Sequence, residues 1–405
     1  MVELWNPGIT INGTVYRIGV VSAIFDGKGF EQVTKTQGSV SLQGCNACDF
    51  PGVWFGHGKS GSVVYPYYSR YLDINDPRRL KRPLRIPNSN AMYNLTAEVE
   101  VAPVDKSYAN YIRDGSLFNA STDPKVKHIN GVKGIWAFDI LPYACLIMKT
   151  KDRMHTSQHV VEDSLRVLIP SKGYHSNRTE KASVRNACQE KRIFPVLYSV
   201  DENNKKLILP WLLDKTTIEN HDIKLRCVIG AKKVEIPNKI MKRRKGRTTA
   251  ESLMYGTNGW ASWCLHSESN EKIEPYLDNI IKLYDVLRIV SSNKINLNDV
   301  NSIRNLAINA LVEHSAIFPP CEQTYAMHEF IHIVEQIPKI GPAKFNSLFT
   351  FERVNATLKR MSKNKCNSMA SIAKNYAVCC YICIIFALYL HVVYIFITFF
   401  CTVFA

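Results

Sequence analysis

Several groups of residues in this sequence have the types and spacings that chemistry needs. Asp152 is followed at once by Arg153, Met154 and His155, and an amphipathic helical pattern then runs to residue 170. Met154, Val161, Leu165 and Leu168 form one stripe of that helix, and His155, His159, Glu162 and Arg166 form another. An acid just before a helix with a histidine one turn in suits a metal- or phosphate-handling site. It also suits a plain N-terminal acid favoured by the helix dipole, with solvated histidines behind it. Cys45 and Cys48 make a C-x2-C knuckle, half of a zinc site. No second C-x2-C follows at ribbon spacing, Cys145, Cys188, Cys227 and Cys264 are scattered, and His57 is the nearest residue to complete the set. Asp26 ends an apolar, β-branched run, where a carboxylate could hold a metal or simply begin the Asp26-Gly27 turn.

His328-Glu329-Phe330-Ile331-His332 is a literal HExxH. On a helix the two histidines, four residues apart, could chelate zinc while Glu329 activates a water, and Glu352 stands where some zinc proteases place a third ligand. The same segment reads as structure, with Phe330, Ile331, Val334 and Ile337 on one apolar face. Two basic stretches complete the inventory. Arg70, Arg78, Arg79, Lys81, Arg82 and Arg85 are interleaved with Tyr65, Tyr67, Tyr68 and Tyr71, a mixture that serves nucleic acid or an ordinary basic loop. Lys242, Arg243, Arg244 and Lys245 lie in a second run that is a phosphate contact, a nuclear import signal or a solvated loop.

The elements that must position these residues change character along the chain. A strand over 14–25 and the knuckle make up residues 1–58; residues 59–130 read as a basic, aromatic, loop-rich insertion. Apolar strand-like sequence resumes from Gly131 and leads into the Asp152 helix, giving a segment 131–200, followed by a basic linker and helical region, 201–300. Helical patterns over 273–290, 298–318, 323–336 and 346–361 carry the segment 301–376. From 377 to 405 no residue is charged. That run is long enough to cross a bilayer as one helix, with Lys359, Arg360, Lys363, Lys365 and Lys374 on the cytoplasmic side. It reads either as a membrane anchor or as translated non-coding sequence. Lys and Arg number 51 against 35 Asp and Glu, a formal charge of +16, which favours a polyanionic partner and says nothing about fold. The 12 cysteines are irregularly spaced, as expected in a reducing compartment.

Taken in order, these stretches resemble a transposase of the CACTA (En/Spm-type) superfamily. The first is Leu4-Trp5, the strand to Asp26, and Cys45-x2-Cys48. The second is Gly131-Val132-Lys133-Gly134 leading to Asp152-x-Met154-His155. The third is Phe318-Pro319-Pro320, His328-x3-His332, Gly341-Pro342, Phe351-Glu352-Arg353, Leu358-Lys359 and Ser371-Ile372-Ala373. The resemblance spans most of the chain and stops near Tyr376. It makes the HExxH the family's paired histidines with a coincidental glutamate between them.

The resemblance implies an α/β fold with a partial RNase H-like (DDE-type) mixed sheet, a C-terminal helical region and, from the tail, one transmembrane helix. It implies two Mg²⁺ or Mn²⁺ ions on carboxylates carrying phosphoryl transfer at transposon ends and target DNA. Asp26 and Glu352 are the carried-over carboxylates, and Asp152 with His155 joins them as ligand or support. Zn²⁺ at Cys45 and Cys48 is a further expectation. Double-stranded DNA is the implied partner, with Arg78, Arg79, Arg82 and the 242–245 cluster as contacts; a homo-oligomer and a nuclear location also follow, or a membrane location if the tail is genuine. The family's first catalytic Asp would lie upstream of Leu4-Trp5, so strand cleavage is expected to be incomplete. The alternative reading is a membrane-anchored zinc metallopeptidase using His328, His332 and Glu352, with Glu329 as base.

Overall fold

The structure, a computed structural model, divides into two compact units, Met1–Ser347 and Leu348–Ala405. It describes residues 9–16, 27–57, 60–66, 68–79, 103–136, 139–140, 144, 150–170, 200–201, 206–207, 209–226, 261–262, 265, 271–345 and 347, all in the first unit. In chain order the elements are β1 (Ile9–Ile11), β2 (Thr14–Tyr16), α1 (Gly27–Thr34), β3 (Val53–His57), β4 (Ser60–Val64), α2 (Tyr108–Ala120), α3 (Arg153–Leu168), β5 (Val200–Asp201), β6 (Lys206–Leu207), α4 (Lys215–Arg226), α5 (Glu274–Val290), α6 (Val300–Ile317), α7 (Tyr325–Glu335) and the short α8 (Ile337–Ile340).

Four helices build the core. On α5, Leu277, Ile280, Tyr284 and Leu287 recur at helical spacing and are buried; on α6 the matching stripe is Ile303, Ala307, Leu311 and His314. These stripes zip the two helices together. Asn279 locks the seam, donating to the Ala310 carbonyl at 2.8 Å and pairing with His314 Nδ1 at 2.9 Å. Burial pulls His314 down to about 3, so it stays neutral and donates. Pro319 and Pro320 stop α6, because neither ring nitrogen can continue the hydrogen-bond ladder. The chain then turns into α7, which packs against both α6 and α3.

Around this core, β3 and β4 form a hairpin whose Val53, Phe55 and Val64 face inward. Ser107 caps α2 by accepting from Asn110 N at 3.1 Å. Tyr111 of α2 donates to the Thr34 carbonyl at 2.6 Å and accepts from Trp136 N at 3.0 Å, tying α1 and residues 129–136 into a small second apolar cluster.

Two expectations about the fold are corrected. The mixed RNase H-like sheet is absent from the described residues, which are mostly helical, with two-stranded antiparallel sheets that each pair sequence neighbours. The physical reason is local. Asn12 and Gly13 both have positive φ, 50° and 78°, which makes the two-residue turn that folds β2 straight back onto β1. Gly131 (φ 85°) and Gly134 (φ 132°) likewise break the strand-like run after residue 130, leaving Val132 only single bridges to Thr36 and Ile129. Residues 59–130, read as loop-rich, contain the 13-residue helix α2. The expected transmembrane helix has no support: no helix among the described residues is long and apolar enough to cross a membrane, and residues 377–405 lie outside them.

Candidate metal centre

The centre is made by two segments from opposite ends of the unit. On α7, His328 and His332 are one turn apart and share a face. Met327, Phe330, Ile331, Ile333 and Val334 bury the helix on its other sides and fix that face inward. The second segment is the knuckle. Gly44 enters it where a Cβ would sit 2.4 Å from the Gly38 carbonyl oxygen, so no larger residue fits without a shift. The Asp49 N–H bonds the Val104 carbonyl at 3.0 Å and the Lys106 N–H bonds the Ala47 carbonyl at 2.9 Å, holding the knuckle against residues 104–106.

Cys45, Cys48, His328 and His332 all turn their donor atoms to one point, with those atoms within 4.8 Å of one another, and all four are buried. The Sγ atoms of Cys45 and Cys48 are 3.7 Å apart and the two Nε2 atoms 3.2 Å apart. Cys45 Sγ lies 3.3 Å from His332 Nε2, and Cys48 Sγ lies 3.4 Å from each histidine. This set could hold a metal ion. The surroundings suit one. Backbone N–H groups of Ala47 and Cys48 point at Cys45 Sγ, and that of Phe50 at Cys48 Sγ, each at 3.4 Å, where they stabilise thiolate charge. His332 Nδ1 donates to Glu335 at 2.7 Å, and Arg304 donates to the other carboxylate oxygen at 2.7 Å, which leaves Nε2 as the free lone pair. His328 stacks on Tyr65, with centroids 5.1 Å apart, and lies 4.8 Å from Phe50.

Without an ion, the four groups neutralise one another. Burial resists ionisation of Cys45, but the Cys48 hydrogen bond and the neighbouring His332 outweigh it and hold its thiol well below the ordinary value. Burial and the Cys45 charge push Cys48 well up. His332, despite burial, is raised to about 10 by Cys45 and then Glu335, whereas burial pulls His328 down. These directions favour charge on Cys45 and His332 and the neutral forms of Cys48 and His328 in the metal-free centre. Metal ligation needs both sulfurs bare and both rings neutral. Metal uptake near pH 7 is therefore expected to release about two protons, so affinity rises with pH; calorimetry in buffers of different protonation enthalpy counts them, and a count near zero would contradict this charge pattern.

Glu329 faces away from the centre. Its carboxylate accepts from the buried Lys151 ammonium at 2.8 Å and from Thr156 Oγ1 at 3.2 Å. Lys151 also reaches Asn46 of the knuckle and Tyr325 of α7, so one cation links the knuckle, α7 and the start of α3. The next residue, Asp152, is the N-cap of α3: its carboxylate accepts from Met154 N at 3.0 Å and His155 N at 3.2 Å, and it also pairs with His155 Nδ1. Asp152 thus caps its helix through two backbone N–H groups. Asp152→Ala is expected to cost about 0.5–2 kcal/mol of stability in chemical denaturation.

Of the other residues singled out from sequence, Asp26, Glu352, Arg82, Lys242, Arg243, Arg244 and Lys245 lie outside the described residues. The expected Mg²⁺ or Mn²⁺ carboxylate site accordingly gains no support; Asp152 caps its helix, and the described cluster that could hold a metal is the sulfur–nitrogen one. Arg78 is exposed but paired with Asp76 at 2.7 Å and with Asn309 at 2.9 Å, while Arg79 is buried and donates to the Leu72 carbonyl at 3.2 Å. His57, the nearest histidine in sequence, ends β3, and its side chain is outside the described ones. Lys151, Glu335 and Arg304 escaped sequence reading, since no spacing marks residues that matter through partners on other elements, 31 positions away for Arg304 and Glu335 and more than a hundred for Lys151.

A family model described as a domain of unknown function (DUF4218) matches residues 290–394. The match includes both histidines of the centre and neither cysteine, and it continues into the apolar run. No curated protein and no solved structure matches the chain.

Proposed function

We propose that this chain belongs to a DNA transposase of the CACTA type, that a structural Zn²⁺ on Cys45, Cys48, His328 and His332 closes its helical domain, and that it binds duplex DNA. The observation that carries the metal assignment is the spacing of the four donors. A tetrahedral zinc with bonds of about 2.3 Å to sulfur and about 2.05 Å to nitrogen has edges of about 3.8 Å (S–S), 3.6 Å (S–N) and 3.3 Å (N–N). Five of the six donor separations here are 3.7 Å, 3.3–3.4 Å and 3.2 Å, and all four donors lie within 4.8 Å of one another. Two thiolates and two imidazoles are a soft, nitrogen–sulfur set that suits zinc and repels hard magnesium or manganese. Four protein ligands leave no open position, which is the mark of a structural ion.

The transposase reading draws support from convergence. Its C-x2-C, D-x-M-H and H-x3-H stretches are far apart in the chain, yet Lys151 beside Asp152 touches both the knuckle and α7. A formal charge of +16 suits a DNA partner. This reading gives the described domain no strand-cleaving role. The peptidase alternative needs a water on the zinc and a free Glu329; the cysteines would fill the open position, and Lys151 holds the glutamate. Zinc content of purified full-length protein and of Cys48→Ser decides between them. One zinc per chain in the wild type, lost in the variant, fits the structural centre. Retention in Cys48→Ser would favour the histidine–glutamate peptidase site, and absence of zinc from the wild type would sink both.

A further inference from the structure

We infer that the DNA-contacting surface of the described domain is the face carrying Lys35, Lys125, Lys127 and Lys133, rather than the arginines around residue 78; this rests on the transposase reading and names the partner contact within it. Asn130 (φ 49°) and Gly131 (φ 85°) form a two-residue turn between Ile129 and Val132. The Lys133 N–H then bonds the Lys35 carbonyl at 2.7 Å, and Thr36 bridges Val132, so two lysines from distant sequence stand side by side. Lys35 itself adopts a left-handed φ of 55°, an uncommon conformation for a residue with a Cβ. The Ile129 N–H bonds the Val132 carbonyl at 2.9 Å across this turn, which brings the arm bearing Lys125 and Lys127 back towards Lys133.

The four lysines are not ion-paired among the described residues, although Asp123 on the same arm accepts from the Lys125 backbone N–H at 2.8 Å. Several cations elsewhere meet carboxylates: Lys282 with Glu313 at 2.7 Å, Arg304 with Glu335 at 2.7 Å, Arg288 with Asp285 at 3.1 Å. Lys35, Lys125, Lys127 and Lys133 are exposed and form no ion pair among the described residues; Lys127 reaches only the Pro124 carbonyl, at 2.9 Å. Gathering like charges costs energy unless an anion answers them. Asn110, Asn130, Arg113, Asp49 and Asp114 line a cavity of about 190 Å³, in which Arg113 and Asn130 are engaged with Asp114, so the lysines are the cations left to meet phosphate. A membrane surface would ask for apolar side chains among the lysines, and residues 121–133 expose no large one. A duplex backbone asks for cations alone.

The test compares full-length wild type with Lys35→Gln/Lys125→Gln/Lys127→Gln/Lys133→Gln, using anisotropy of a labelled random-sequence duplex over a salt series. Each lost phosphate contact lowers the slope of log affinity against log salt by about 0.9, so the variant's slope should fall by about 3.6. Affinity at low salt should drop about tenfold or more, with zinc content and near-ultraviolet circular dichroism unchanged. A control, Lys215→Gln/Lys282→Gln, removes cations already paired and should keep the wild-type slope. A variant slope within about one unit of wild type overturns this surface. So does a variant that keeps its DNA slope while losing affinity for phosphatidylserine vesicles, which would assign the face to a membrane. Wild-type protein with no salt-dependent DNA binding overturns the transposase reading together with the surface.

Discussion

Replacing His332 with alanine is expected to strip the zinc and lower folding stability by about 4 kcal/mol or more. A ligand that binds only the folded state at a thousand times its dissociation constant contributes about 4.1 kcal/mol, and structural zinc is usually held more tightly than that. The imidazole also supports Glu335, whose carboxyl is held at about 2 because His332 and Arg304 together outweigh its burial. Without the ring, that carboxylate keeps only Arg304, at 2.7 Å, in a mostly buried position. Against a typical domain stability of about 5–15 kcal/mol, the variant should be marginal. Zinc analysis and chemical denaturation read the two effects. His332→Cys, which restores a metal-binding side chain, should recover zinc where alanine does not. An alanine variant that still holds one zinc, with its denaturation midpoint unmoved, would remove His332 from the centre.

The second large effect is expected at Lys151. Its side chain is 4% exposed, and its ammonium meets Glu329 at 2.8 Å and Tyr325 at 3.2 Å while also contacting Asn46. Burial works against the charge, but Glu329 and then Cys45 outweigh it and raise the lysine above its ordinary value. Lys151→Met keeps the bulk and deletes the charge, leaving Glu329 with neutral hydroxyl donors, Thr156 among them. Breaking one half of a buried ion pair costs about 3–5 kcal/mol, because the other half stays desolvated. Lys151→Met/Glu329→Gln removes both charges and should recover at least half of that loss. Equilibrium denaturation of the two singles and the double closes the cycle. A single-variant cost below about 1 kcal/mol would mean that solvent screens the pair, and the link between knuckle and α7 would carry no weight.

Among the described residues, three helices were legible in the sequence where an apolar stripe ran for three turns or more between clear stops; the pattern over 346–361 lies outside them but for residue 347. The pattern over 273–290 is α5, that over 298–318 contains α6 between Asn296 and the Pro319-Pro320 pair, and that over 323–336 contains α7. The strands were over-read. β-branched runs report burial as much as pairing; the described part of the run over 14–25, Thr14–Tyr16, pairs back across Asn12-Gly13 onto Ile9–Ile11, and residues 17–25 lie outside the described ones. The centre was half legible. Each donor pair announced itself through its own spacing, two residues between the cysteines and three between the histidines. That they belong together is a tertiary fact, and side-chain periodicity carries no information across such a gap. Glu329 shows the converse: sequence context made it a catalytic base, and its position one residue along the helix turns it away from its neighbours and towards Lys151.

Cys48 and His328 are 280 positions apart, and that distance is also a delay. A ribosome adding about 5–20 residues per second needs roughly 15–60 s to travel from the knuckle to α7. Throughout that interval the two thiols have emerged and their nitrogen partners have not been made. The nascent chain therefore spends most of its synthesis as an open dithiol that a disulfide or a foreign metal could claim. Newly made protein should be more sensitive to oxidants than the finished fold, in which both sulfurs are sealed behind Phe50, Tyr65 and Tyr71.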